Sequence, residues 1–194
     1  MKYLLSALIL LSITGCIPNT KYSTTDDYAA GLRWFERGMQ NNDINAINYA
    51  IRYWQPLVDK GDCDAEYRMG FMHFAAIGMQ QSFETAHKLW VKAANGNQQR
   101  AQWALGDLYF QSEADVFHHC TKTPTCTIKK DLEEALFWYK LFEKSAKYSG
   151  EEKYVEHILP KVETLLTPER IKAVEAKVAA WSPTPKDCGA RNMW

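Results

Sequence analysis

The chain has 194 residues, 46% of them hydrophobic, with 23 basic and 23 acidic side chains. That is enough for one domain with a real core, and the balanced charge leaves no basic footprint for nucleic acid. No glycine-rich phosphate loop and no G-x-S-x-G elbow occurs, so neither catalysis nor a cofactor is expected.

Residues 1–15 read as a targeting segment. Lys2 gives a positive start, and the apolar run Tyr3 to Ile13 is too short for a normal membrane anchor. Ile13-Thr14-Gly15-Cys16 follows, a small residue before a cysteine. This resembles the lipobox of bacterial lipoproteins. The resemblance implies cleavage before Cys16 and acylation, palmitate included, at that residue. Ile17 stands where enterobacterial lipoproteins carry an aspartate for inner-membrane retention, which implies an outer-membrane lipoprotein facing the periplasm. Residues 16–25 are then the lipidated cysteine and a short polar tether. Nothing later in the chain is apolar for the roughly 18 residues a second span would need.

From residue 26 the chain repeats. Ala29, Ala65 and Ala101 are 36 apart, as are Ala50 and Ala86, and Trp54 and Trp90. A period in the range of about 20–50 residues marks stacked supersecondary units. Three units are expected near 29–64, 65–100 and 101–149, within an array over 26–149. In the second, Ala65, Met69 and Met72 form one helical stripe. Thr85, Ala86, Leu89, Trp90, Ala93 and Ala94 form another, with Ala75 to Gln81 as the turn between them. Gly70 and Gly106 occupy matching helix positions. Glycine inside a helix costs about 1 kcal/mol relative to alanine, which close packing would offset.

Ala65, Gly70, Gly78, Ala86, Ala93 and Ala94 carry a specific resemblance, to the Sel-one-like repeat (SLR), a relative of the tetratricopeptide repeat. The third unit supplies Ala101, Gly106, Tyr109, Asp131, Ala135, Trp138 and Tyr139 at corresponding places. His73, Met79, Ser82 and Leu89 depart mildly from the family's tyrosine, valine, aspartate and tryptophan. In the first unit Ala29, Ala50, Tyr53, Trp54 and Gly61 fit, and Trp34 stands where the family has glycine. The resemblance covers roughly residues 29–145. It implies an all-α, right-handed superhelical solenoid of about three helix-turn-helix repeats, a protein-binding scaffold.

Ala86 and Ala135 are 49 apart, so the third unit holds 13 inserted residues in a loop over 111–130. Such insertions fall on one face of an array, often the binding face. Beyond the array, 150–194 reads as capping helices and tail. Val155, Ile158, Val162 and Leu165 share a side, interrupted by Pro160. Thr167-Pro168-Glu169 starts a second helix, on which Ile171, Val174, Val178 and Trp181 recur at spacings of three and four.

With Cys16 lipidated, Cys63, Cys120, Cys126 and Cys188 remain, an even number in an exported chain. The favoured pairing is Cys120 with Cys126 inside the loop, leaving Cys63 for Cys188. A metal site at His118, His119, Cys120 and Cys126 is the rival reading, but the spacing matches no standard zinc arrangement, and no metal is expected. Glu133-Glu134 and Glu151-Glu152 point about 100° apart on a helix and read as solvated faces.

Helical geometry also suggests where a partner binds. With Ala65, Met69, Met72 and His73 taken as the core stripe, Arg68, Phe71 and Ala75 face away. Aligned at 36 residues, Leu32, Phe35 and Met39, and Ala104, Asp107 and Gln111, do the same. Phe35, Arg68, Phe71 and Asp107 would form a mixed aromatic and charged groove suited to a hot spot, unless these residues pack against neighbouring units. The expected function is a membrane-anchored periplasmic adaptor, held by its lipid and binding another protein of the cell envelope. An immunity protein neutralising an envelope-acting toxin, or a structural tether to the cell wall, are the alternatives.

Overall fold

The computed structural model describes residues 24–110, 127–146, 153–184 and 188. All regular structure among them is helical, in the order α1 (Thr24–Asn41), α2 (Ile44–Asp59), α3 (Cys63–Ala75), α4 (Phe83–Asn95), α5 (Gln99–Phe110), α6 (Leu132–Ala146), α7 (Lys153–Glu156), α8 (Leu159–Glu163) and α9 (Pro168–Ala180). Three antiparallel hairpins, α1/α2, α3/α4 and α5/α6, stack in chain order through α2 on α3 and α4 on α5. The fold is a helical repeat solenoid.

Local chemistry sets the helix ends. Asp43, Ser82 and Asp131 open the second helix of each hairpin by accepting backbone N–H groups of its first turn. Asp62 and Gln98, one period apart, do so for α3 and α5. Such caps contribute about 1 kcal/mol each. Ala76, Gly78 and Asn97 take the left-handed backbone that ends α3, turns the connector and joins α4 to α5.

One joint recurs inside each hairpin. A Cβ on Gly31 would overlap the Trp54 ring, one on Gly70 the Trp90 ring, and one on Gly106 the Tyr139 ring. All three aromatic side chains are fully buried. Glycine therefore lets the second helix lay a large ring against the backbone of the first, which explains its presence mid-helix.

The first hairpin does not follow the 36-residue alignment. Trp54 Nε1 donates to the carbonyl of Tyr28 at 3.2 Å, and Trp90 Nε1 to that of Tyr67 at 3.1 Å. Phe35 lies against Trp54 with centroids 5.6 Å apart, as Phe74 lies against Trp90 at 5.5 Å. Tyr28 to Tyr67, Gly31 to Gly70 and Phe35 to Phe74 are each 39 residues. The cause is in α2, which has 16 residues where α4 has 13. The glycine role falls to Gly31 and not to Trp34. Ala29 is not the counterpart of Ala65 and Ala101: those two are fully buried, whereas Ala29 is partly exposed.

The C-terminal helices cover the last hairpin. α9 packs along α6, with Val174 buried and Ile171 and Val178 half-buried against it. The chain breaks between α7 and α8 beside Pro160, which sits in the first turn of α8. The break shifts the phase, so Leu166 is buried while Leu165 is 54% exposed. Lys140 of α6 ties the cap down through Glu163 at 2.9 Å and Glu175 at 3.5 Å. Burial disfavours its charge, but these two carboxylates outweigh that and raise its pKa.

Candidate functional site

Four residues were expected to share a groove, and the structure separates them. Arg68 and Phe71 lie one helical step apart on α3. The guanidinium of Arg68 is 5.9 Å above the Tyr67 ring, and its Nε donates to the Tyr28 hydroxyl of the preceding hairpin at 3.2 Å. Phe71 is 37% exposed, and Ala75 one turn further is also exposed. These positions form an open strip beside the junction of the first two hairpins.

Phe35 does not belong to that strip. Its counterpart under the 39-residue offset is Phe74, and like Phe74 it packs on the tryptophan of its own hairpin. Asp107 is a second correction. It is 3% exposed and accepts a 2.5 Å hydrogen bond from the Tyr139 hydroxyl. The bond ties α5 to α6 across the hairpin. Ala104, one turn earlier, is buried as well. Tyr139 replaces a tryptophan, and its hydroxyl is what the buried carboxylate satisfies.

His87 of α4 and Tyr109 of α5 meet across the next junction, with Nε2 and the hydroxyl oxygen 2.7 Å apart. Burial, then the neighbouring Lys88 charge, lowers the His87 pKa. Burial, then Glu134 and Asp131, raises that of Tyr109. The pair joins the second and third hairpins as a neutral contact.

Cys63 and Cys188 form a disulfide with Cα atoms 5.0 Å apart and a sequence separation of 125. It brings the tail back to the start of α3, where the Thr184 N–H also donates to the Asn95 carbonyl at 2.8 Å. Gly96 lies against both sulfurs, leaving no room for a Cβ. Cys16, Cys120, Cys126, His118 and His119 lie outside the described residues. Among the described residues no three His, Cys, Asp or Glu side chains gather as a metal site, and no helix is long and apolar enough to cross a membrane.

The first hairpin's outer surface carries a group of residues absent from the expected groove. Trp34 and Tyr49 pack together there at 4.8 Å, with Tyr53, Met39 and Ile44 exposed around them. The available signal is the aromatic density of α2, where Tyr49, Tyr53 and Trp54 fall within six residues.

Three stretches of the chain, 63–98, 99–117 and 125–146, match the Sel1 repeat family. The last two both fall on the third hairpin and leave residues 118–124 unmatched between them, and the first hairpin is not matched. The comparison with curated proteins returns no match. Among solved structures the chain resembles c5321, a protective antigen present in uropathogenic Escherichia coli strains and displaying an SLR fold. The TM-score is 0.64 at 16% identity, over 82% of this chain and 30% of that one. The chain thus spans under a third of that antigen's length. A Sel1 repeat protein from Oxalobacter formigenes matches with a TM-score of 0.40 at 17% identity, over 81% of this chain and 73% of that one.

Proposed function

Starting from a chain that contains Sel1 repeats, which serve generally as non-catalytic protein-binding scaffolds, we propose that it is a lipid-anchored adaptor of the bacterial envelope. In this reading Cys16 carries the acyl chains, the polar residues after it form the tether, and the solenoid faces the periplasm and holds another protein. The observation that carries the binding role is the open strip on α3. Phe71 is an aromatic side chain left exposed beside an arginine that is already held in place by Tyr28 and Tyr67. Preorganised arginine and exposed aromatic groups are the usual anchors of a protein interface.

Two features support the compartment. The sequence around Cys16 has the order of charge, apolar run and small residues that precede a lipidated cysteine. The Cys63–Cys188 bridge suits an oxidising environment. Membrane fractionation with palmitate labelling tests the anchor: label incorporated in the native chain and absent from Cys16→Ala supports it, and label surviving the substitution contradicts it. Binding is tested by affinity capture of a stoichiometric partner from the envelope. An Arg68→Glu, Phe71→Ala double variant should lose that partner, and unchanged capture would contradict the strip as the site.

A further inference from the structure

We propose that the outer face of the first hairpin is a second docking surface, built for an acidic segment of another protein. It deepens the adaptor reading and rests on it. The face is defined by the repeat itself. Leu89 on α4 packs into the cluster formed with the first hairpin, and Trp138 on α6 packs into the cluster formed with the second. Their counterpart on α2 is Tyr53, which meets no earlier hairpin among the described residues and is 36% exposed. The same holds one helix over. Tyr109 reaches back to His87 of the preceding hairpin, whereas its counterpart Trp34, half-buried against its own hairpin's cluster, lies beside the exposed ring of Tyr49.

An end unit normally turns a polar face to water. This one carries a ladder of Arg37, Trp34, Tyr49 and Arg52. The Arg37 guanidinium lies 5.3 Å from the Trp34 ring centroid, the two rings are 4.8 Å apart, and Arg52 lies 5.8 Å from the Tyr49 ring centroid. Both arginines are exposed, and neither is in an ion pair among the described residues. Each guanidinium lies within cation–π reach of its ring, and an arginine held this way suits a carboxylate in the plane of its fork.

Charge selects the occupant. Residues 1–23 contain Lys2 and Lys21 and no acidic side chain, so the chain's own leading segment offers no complement. A second copy placed face to face would oppose arginine to arginine. What fits is an acidic stretch of a different protein, with aliphatic or aromatic side chains that cover Tyr49 and Tyr53.

A random peptide library displayed on phage, panned against the folded chain, tests this without knowing the partner. Enriched peptides should combine Asp or Glu with large apolar residues. Their affinity should fall about tenfold or more in an Arg37→Glu, Arg52→Glu double variant and weaken with added salt. A Lys161→Glu, Lys172→Glu variant, carrying the same charge change on the exposed C-terminal cap, should bind as the native chain does. No enrichment, peptides without acidic bias, or affinity unchanged by the arginine substitutions would overturn the proposal. So would self-association in sedimentation, or binding to phosphatidylglycerol vesicles, that the same two substitutions abolish. The Arg68→Glu, Phe71→Ala variant should keep these peptides, so loss of the α3 strip and loss of this surface are read separately.

Discussion

Gly31 lies against the ring of Trp54 as Gly70 lies against that of Trp90, although the two glycines are 39 residues apart and the two tryptophans 36. The joint between helices is conserved in space while its spacing in sequence changes. Replacing Gly31 by valine should therefore destabilise the fold by about 1–3 kcal/mol through overpacking, read as a lower urea midpoint. Trp34→Phe, at the position a fixed period would assign to the glycine, keeps an aromatic ring where no such joint exists and should shift the midpoint far less.

The buried carboxylate of Asp107 depends on Tyr139. Tyr139→Phe keeps the ring over Gly106 and removes the hydroxyl, leaving a carboxylate oxygen without that donor. A loss of about 1–3 kcal/mol is expected in equilibrium unfolding. A variant as stable as the native chain would show that the bond contributes nothing net.

The disulfide gives a third test. Reducing the Cys63–Cys188 bridge, or substituting Cys188→Ser, frees the tail from the start of α3. A bridge of this kind stabilises by about 2–4 kcal/mol, so without reductant the Cys188→Ser chain should unfold several degrees below the native chain, and with reductant the two should converge.

His87 makes stability pH-dependent. Its folded pKa is lowered from 6.5, first by burial and then by Lys88. Below 6.5 the unfolded chain takes up the proton before the folded chain does, so this group's contribution is present above 6.5 and is lost as pH falls through the lowered value. His87→Gln should flatten that part of the stability profile. Tyr109→Phe, which removes the hydroxyl facing Nε2 but not the burial, should leave the slope in place.

The repeat and its hairpins were legible because α3 and α4 carry a regular pattern: Gly70, Ala86, Trp90 and Ala93 all occupy the roles their spacing implies. The first hairpin was misread by three residues. Ala29 happens to fall on the period, but the extra residues are in α2, and a single-residue marker cannot show on which side of it an insertion lies. Asp107 was misplaced for a different reason. A helical wheel does not show that the Tyr139 hydroxyl of α6 reaches Asp107 and satisfies it there, so a charge opposite the core stripe can still be interior. The aromatic ladder of the first hairpin was not legible because periodicity alone does not tell a ring packed on another unit, as Trp138 is, from one at the same repeat position left exposed, as Tyr53 is.

On the proposed function, the open strip on α3 holds another envelope protein. A photo-crosslinking amino acid placed at Phe71, in cells expressing the full chain, tests it most directly. The account predicts one discrete adduct in the membrane fraction that disappears when Arg68 is also changed to Glu. No adduct, or adducts only between copies of this chain, would contradict it.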